Sequence, residues 1–321
     1  MNRLVSILVP VYNREQLIGP CLRSALAQTI TDIEVVVVDN ASTDGTVGVC
    51  QEIASEDPRV RVFVNETNLG PVRNWQRCLQ EARGYYAKLL FSDDLLAPAY
   101  LEKTLPYLAK DEVGFVFTSA WLGPEPFAGN VFCRFLKASG VYPSDLYTAS
   151  ALFNGDVPVS PGAALFRLSD LRNNLLDTVP SPVISDFPRH GAGPDLLTYL
   201  LTAAQYPSVA FIDAPLAYFR AHAESITLSD RENYLSRCYR QARIWFAEKY
   251  LQERYFHRLC LYEWKRECSQ RHQWQPLEQM LGNYTLGAPN ISWLSRCGGL
   301  ILAKRHKKGR LAVRFSQEKL P

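Results

Sequence analysis

Residues 85–94 read YYAKLLFSDD, an aromatic and aliphatic run that ends in two adjacent carboxylates. With one lysine among residues 85–91, the run suits an interior strand of a mainly parallel sheet, buried on both faces. Ser92, Asp93 and Asp94 follow at its carboxyl end, where open α/β sheets place their ligand crevice. Neighbouring carboxylates repel unless a cation or hydrogen-bond donors lie beside them, so the pair asks for a partner. A hard divalent ion such as Mg²⁺ or Mn²⁺, holding a diphosphate, answers that need. The alternative is that Asp93 and Asp94 cap the helix that Pro98 helps to open.

Three further strand and helix alternations lie towards the N-terminus. Residues 4–11 (LVSILVPV) and 33–38 (IEVVVV) read as short buried strands, and 60–64 as a third. Helical spacing of apolar residues fills 15–28, a second helix runs to about residue 55, and Pro71 opens a third that ends near Arg83. This βαβαβαβ order implies a parallel sheet with helices on both faces, whose strand exits share one edge. Those exits carry Tyr12 and Asn13, Asp39, Asn68, and the acid pair. An aromatic ring to stack a base, a carboxylate for a base N–H or ribose hydroxyl, and acids for a metal on the phosphates together fit a nucleotide. Neither GxGxxG nor GxxxxGK[ST] occurs, which argues against dinucleotide and P-loop readings.

Composition bounds the rest. The chain has 321 residues, 47% hydrophobic and 21% charged, enough for one large α/β domain with an appendage or for two domains, and without the bias of a disordered chain. No apolar run approaches the roughly 20 residues that span a bilayer, and the first residues do not read as a signal segment, so a cytosolic protein is expected. Eight cysteines without close CxxC pairs read as reduced, mostly buried thiols. His257, Cys260, Cys268 and His272 cluster in sequence, but their spacing fits no zinc module. Net charge is +3, yet the tail from Arg296 onward carries +7, leaving −4 on the remainder.

Four stretches, VSILVPVYNRE, VVVVDNASTDGT, NETNLGPVRNW and AKLLFSDDLLAP, resemble in order the nucleotide-binding motifs of the family 2 glycosyltransferases. The resemblance implies an α/β GT-A fold: a Rossmann-like, mainly parallel sheet with helices on both faces. It also implies a nucleotide-sugar donor, a divalent metal (Mn²⁺ or Mg²⁺), and inversion by direct displacement. Carried over by position, Pro10, Tyr12 and Asp39 would hold base and ribose, with Arg73 and Asp93 also on the donor. Asp94 would be the metal ligand. Many members carry an acid two residues before the acid pair; here that residue is Phe91. The metal would then lean on diphosphate oxygens and water, which Mg²⁺ and Mn²⁺ accept.

The later chain adds two motifs. His190-Gly191-Ala192-Gly193-Pro194-Asp195 precedes a helical run, and a Gly-x-Gly turn before a helix can present Asp195 to the crevice as the general base that an inverting transfer needs. In the family this motif is usually Glu-Asp; Pro194 replaces the Glu. The alternative is an ordinary helix-start acid, and Asp186 is the reserve base. Residues 218–225 (YFRAHAES) resemble the family's Y-x-R-x-H-x-x-S ending, which assigns Arg220 to the leaving diphosphate and His222 to the diphosphate or the metal.

Residues 119–140 read as a long aromatic loop, either facing an acceptor or packed, with Trp121, Phe127, Phe132 and Phe135 open to both roles. Strands are expected at 113–118, 162–166, 209–213 and 216–219, and helices at 99–108 and 147–153. Residues 233–268 are helical and aromatic, packing onto the domain or forming a homodimer contact. Residues 291–303 with the following basic run suit an interfacial helix at an anionic membrane; the alternative is a core helix with a solvated tail. No recognition motif accompanies the basic run, which excludes nucleic acid as the expected partner.

The chain is therefore expected to fold as a GT-A domain at 1–229, with a nucleotide half at 1–118 and an acceptor half at 119–229, followed by a helical C-terminal region at 230–321. The expected activity is transfer from a UDP-sugar to a glycan or lipid-linked acceptor, in the cytoplasm or at the inner face of the membrane. The rivals are a nucleotidyltransferase, which would want a Gly-rich basic phosphate loop where Tyr12-Asn13-Arg14 stands, and a catalytically degenerate sugar-nucleotide-binding scaffold.

Overall fold

The computed structural model describes residues 5–136, 138–182, 187–221, 234–271, 275–286 and 313–315. The N-terminal run is β1 (Val5–Val11), α1 (Glu15–Leu26), β2 (Ile33–Asp39), α2 (Thr46–Glu56), β3 (Val60–Val64), α3 (Pro71–Glu81) and β4 (Tyr86–Leu89). These strands are parallel in the order β3-β2-β1-β4, as the alternating sequence requires. The chain lays β2 and β3 on one side of β1 and then returns to lay β4 on the other, so a crevice opens at the carboxyl ends of β1 and β4.

Past β4 the sheet becomes mixed. β5 (Leu95–Leu96), α4 (Tyr100–Leu108), β6 (Val113–Gly123), β7 (Asn130–Phe132), β8 (Gly140–Pro143) and α5 (Ser144–Leu152) come next. After a 3-10 turn at Pro161–Ala163 follow β9 (Ala164–Arg167), α6 (Leu168–Asn174), α7 (Phe187–His190), α8 (Pro194–Gln205) and β10 (Ser208–Arg220). The described sheet continues β4-β9-β6-β10-β5, with β9 antiparallel to both its neighbours. The two strands expected at 209–213 and 216–219 form one strand, because register shifts around Pro215 let β10 stay paired with β6 across the interruption.

Side chains alternate across this sheet. Leu8, Val36 and Val38 face one buried cluster, while Ile7, Val9, Val35 and Val37 face another, so both faces are covered. α1, α2 and α4 supply the second cluster, and α3, α5, α6 and α8 the first.

The C-terminal helices are α9 (Tyr234–Tyr250), α10 (Glu253–Arg271) and α11 (Leu277–Leu281). They pack back onto the sheet: Ala242, Phe246, Leu259 and Met280 are fully buried in the cluster that holds Leu8 and Phe115. Residues 119–140 are more ordered than their composition suggests, since β6 runs on to Gly123 and pairs with β7. Phe135 joins the core against Phe117, whereas Phe127 remains 37% exposed.

Candidate functional site

The β1 and β2 exits interlock. Asn13 takes a left-handed backbone (φ 49°), its N–H donates to Ser42 Oγ (2.8 Å), and its side chain accepts from Thr43 N (2.9 Å). Asp39 is fully buried and accepts from Ser42 N at 2.8 Å and Ser42 Oγ at 2.5 Å. Asn40 bridges onward, donating to Asn68 Oδ1 (2.8 Å) and accepting from Leu69 N (2.9 Å) and Asn65 Nδ2 (3.1 Å). Asn65 in turn donates to Asn74 on α3. This net fixes three strand exits against one another, because each buried amide group finds a partner. Pro10 lies in β1 opposite Val38, and beyond it Tyr12 stays 43% exposed, a free ring at the crevice mouth. Arg73 stands on α3, 4.0 Å from Asp177 in an exposed pair.

The acid pair does not cap a helix. β5 follows it, and α4 begins later with Ala99 as its N-cap and no side-chain cap. β5 pairs antiparallel with β10, Leu95 opposite Tyr218, and that register carried two residues on sets Arg220 opposite Asp93. Accordingly Arg220 N donates to Asp94 Oδ1 (3.1 Å) and Arg220 Nε to the Asp93 carbonyl (3.3 Å). Two sequence motifs some 126 residues apart thus form one cluster.

Asp94 is only 7% exposed, and burial, then the neighbouring Asp93 charge, hold its carboxyl well above the usual range. Arg220 and Lys88 pull the other way. Lys88, fully buried on β4, donates to the Gly162 carbonyl, and burial draws its ammonium down to about 7. In the sequence Lys88 is only the one lysine of an interior strand, with no role expected of it. Cys21, on α1, points its thiol at the Phe91 carbonyl (3.4 Å); burial and then the Asp94 and Asp93 charges push it up.

Phe91 stands two residues before the acid pair. Its ring packs on Trp75 of α3, with centroids 5.3 Å apart. Gly162 fits beside it, because a Cβ there would lie 3.3 Å from Phe91 and 3.1 Å from Phe219. Among the described residues no group of three or more His, Cys, Asp or Glu converges as a metal centre. Asp94, buried beside the partly buried Asp93, fits an ion that takes its other ligands from diphosphate and water.

The loop before α8 is shaped by its glycines. Gly191 (φ +74°) would drive a Cβ to 2.5 Å from Trp75, and Gly193 (φ +105°) to 2.5 Å from Phe187. The tight turn sets Asp195 in the first turn of α8, 7% exposed, with Oδ1 accepting from Gly193 N (2.8 Å) and Leu196 N (2.7 Å). Its Oδ2 accepts from Tyr239 of α9 at 2.5 Å. Burial raises this carboxyl to about 7 against those hydrogen bonds. Tyr239 was hidden among the many aromatics of 233–268.

His222, the reserve base Asp186, His272 and the stretch 291–303 lie outside the described residues. The seven cysteines within them are buried and outside any disulfide, as expected.

The family model "Glycosyl transferase family 2" matches residues 6–169, about half of the chain. This protein belongs to that family. It is similar to the putative glycosyltransferase EpsH of Bacillus subtilis, 30% identical over 226 residues, covering 69% of this chain and 62% of EpsH. It is also similar to the chondroitin synthase of Escherichia coli, 43% identical over 108 residues, covering 34% of this chain but only 16% of that enzyme. The chain therefore spans less than two thirds of these relatives. The crystal structure of S. aureus TarS 1-349 in complex with UDP-GlcNAc superposes with a TM-score of 0.63 at 20% identity, covering 83% of this chain and 72% of TarS, which establishes the GT-A fold. No described helix is long and apolar enough to cross a membrane.

Proposed function

We propose that this chain transfers a sugar from a UDP-sugar to a hydroxyl of a glycan or lipid-linked acceptor, with inversion at the anomeric carbon. The observation that carries this reading is the junction of Asp93, Asp94 and Arg220 at the mouth of a GT-A sheet. The TarS complex with UDP-GlcNAc supports the choice of a UDP-sugar donor.

Tyr12, Pro10 and Asp39 bind the base and ribose, and Arg73 also meets the donor. Asp93 meets the ribose, and Asp94 would hold Mn²⁺ or Mg²⁺, with His222 assigned to the same ion by its motif. When bound, that ion supplies positive charge to the diphosphate. Asp195 takes the proton of the acceptor hydroxyl as the hydroxyl oxygen forms its bond to the anomeric carbon. The bond from that carbon to the diphosphate oxygen breaks, and the electron pair leaves with the nucleoside diphosphate. Arg220 offsets the charge that grows there. Asp195 Oδ2 retains a second lone pair beside the one engaged by Tyr239, so it can accept that proton.

Calorimetric titration with UDP, GDP and dTDP, each with Mn²⁺ and then with EDTA, tests the donor site. Metal-dependent binding of UDP alone is the expected result. Silence with all three nucleotides would favour the degenerate scaffold.

A further inference from the structure

The C-terminal helices reach the acid that the proposed transfer uses as its base. We infer that Tyr239 of α9 is a positioning residue that orients Asp195 and sets its ionisation, so the helical C-terminal region completes the acceptor side. This inference rests on the reading of Asp195 as base.

Three tyrosines surround Asp195, and they are committed differently. Tyr147 on α5 gives its hydroxyl proton to the Pro158 carbonyl (2.8 Å), and Tyr199 on α8 gives its own to the Ser160 carbonyl (2.8 Å). Tyr239 alone of the three donates to Asp195, at 2.5 Å. Both backbone donors serve Oδ1, so the phenol is the partner that holds Oδ2. A carboxylate sealed from water with an unmatched oxygen stays protonated and cannot act as a base. The phenol O–H favours the ionised form by a charge-assisted hydrogen bond.

Tyr239 is itself held from behind. Arg243, one turn along α9, stands 5.8 Å from its ring centroid and is the cation that faces the Asp195–Tyr239 pair. Arg243 donates to the Ala151 carbonyl and to Glu263 of α10, each at 3.3 Å. Glu263 also meets Arg240 at 3.4 Å, and Arg240 meets Glu267 at 3.4 Å. These four charged side chains are buried in the helical region, where a paired network fixes geometry more than it adds stability. The line from Glu263 through Arg243 and Tyr239 ends on Asp195, which gives that network a direction.

The test reads Asp195 itself. Carbon-13 NMR of protein labelled at aspartate carboxyls, with the Asp195 signal identified by its loss in Asp195→Asn, follows the titration without any substrate. The wild-type midpoint is expected near 7. Tyr239→Phe, which keeps the ring, is expected to raise the midpoint by about one pH unit. Fluorotyrosine installed at position 239 keeps both ring and hydroxyl, makes the hydroxyl a stronger donor, and is expected to lower it.

A midpoint unmoved in both variants would overturn the proposal. Turnover of UDP-N-acetylglucosamine supplies the second readout: the acidic limb of kcat should follow the titration in each variant, with Tyr239→Phe recovering towards pH 9 and UDP affinity unchanged. If the titrations move but the limb does not, Tyr239 still governs the carboxyl while Asp195 is not the base. If wild-type protein binds no UDP, the donor reading fails and the titration still decides the role of Tyr239.

Discussion

Asp94 and Asp195 are both carboxylates closed off from water, and burial raises both, yet the company each keeps is different in kind. Asp94 stands beside a second carboxylate, with Lys88 and Arg220 opposing it from other strands, and its surroundings resemble a seat for a cation and a charged leaving group. Asp195 stands among tyrosines and backbone N–H groups, with Arg243 as the facing cation, so its ionisation is set by hydrogen bonds. Similar burial thus suits the two tasks proposed, because the group beside each carboxylate decides which form it favours. The proposed donor side is built from strand ends close in the sheet, whereas the proposed acceptor side draws on a helix 44 residues further along the chain.

The largest expected effect separates the two acids by turnover. Asp195→Asn keeps the size and one oxygen for the backbone N–H groups but removes the carboxylate, so kcat should fall by about 10²- to 10⁴-fold with UDP affinity intact. Stopped-point assays of UDP release would show it, and a loss below tenfold would mean that another group takes the proton. Next comes donor binding. Asp94→Asn should weaken UDP in Mn²⁺ by about thirtyfold, equivalent to about 2 kcal/mol, and leave UDP in EDTA nearly unchanged. Equal weakening with and without metal would assign Asp94 to the nucleotide directly.

Stability distinguishes the loop that carries Asp195. Gly191→Ala forces a side chain into a left-handed backbone against Trp75, and urea unfolding should show a loss of about 2 kcal/mol. The smallest effect concerns pH. The Asp195 carboxyl rises from about 3.9 in an unfolded chain to about 7 in the fold. Between those values the folded protein binds the extra proton, so its stability falls as pH rises through that window. Asp195→Asn lacks that dependence. Relative to the wild type, the variant should therefore gain stability from pH 6 to pH 8, the upper end of that window, by about 1 kcal/mol. A constant difference across that range would show that the carboxyl titrates as in solution.

The same contrast explains what could be read from the chain. The four parallel strands and the acid pair were legible because each is a local pattern: an apolar run, then polar residues at its exit. Arg220 was legible through its motif, and the antiparallel β5–β10 pairing gives that motif its place. Tyr239 was not, because one tyrosine among many on a helix carries no periodic mark of the carboxylate it meets. Arg240 and Glu263 carry no mark in the sequence of the buried ion pair that long-range packing makes of them. Residues 119–140 hid a strand extension, since Gly, Pro and Trp interrupt the alternation that would have revealed β6 running to Gly123.

One measurement addresses the division of labour directly: calorimetric titration of UDP with Mn²⁺ into the wild-type protein, Asp94→Ala and Asp195→Ala. The expected result is metal-dependent binding to the wild type, the same affinity in Asp195→Ala, and loss of the metal-dependent part in Asp94→Ala. Equal loss of UDP affinity in both variants would contradict the separation of donor and base.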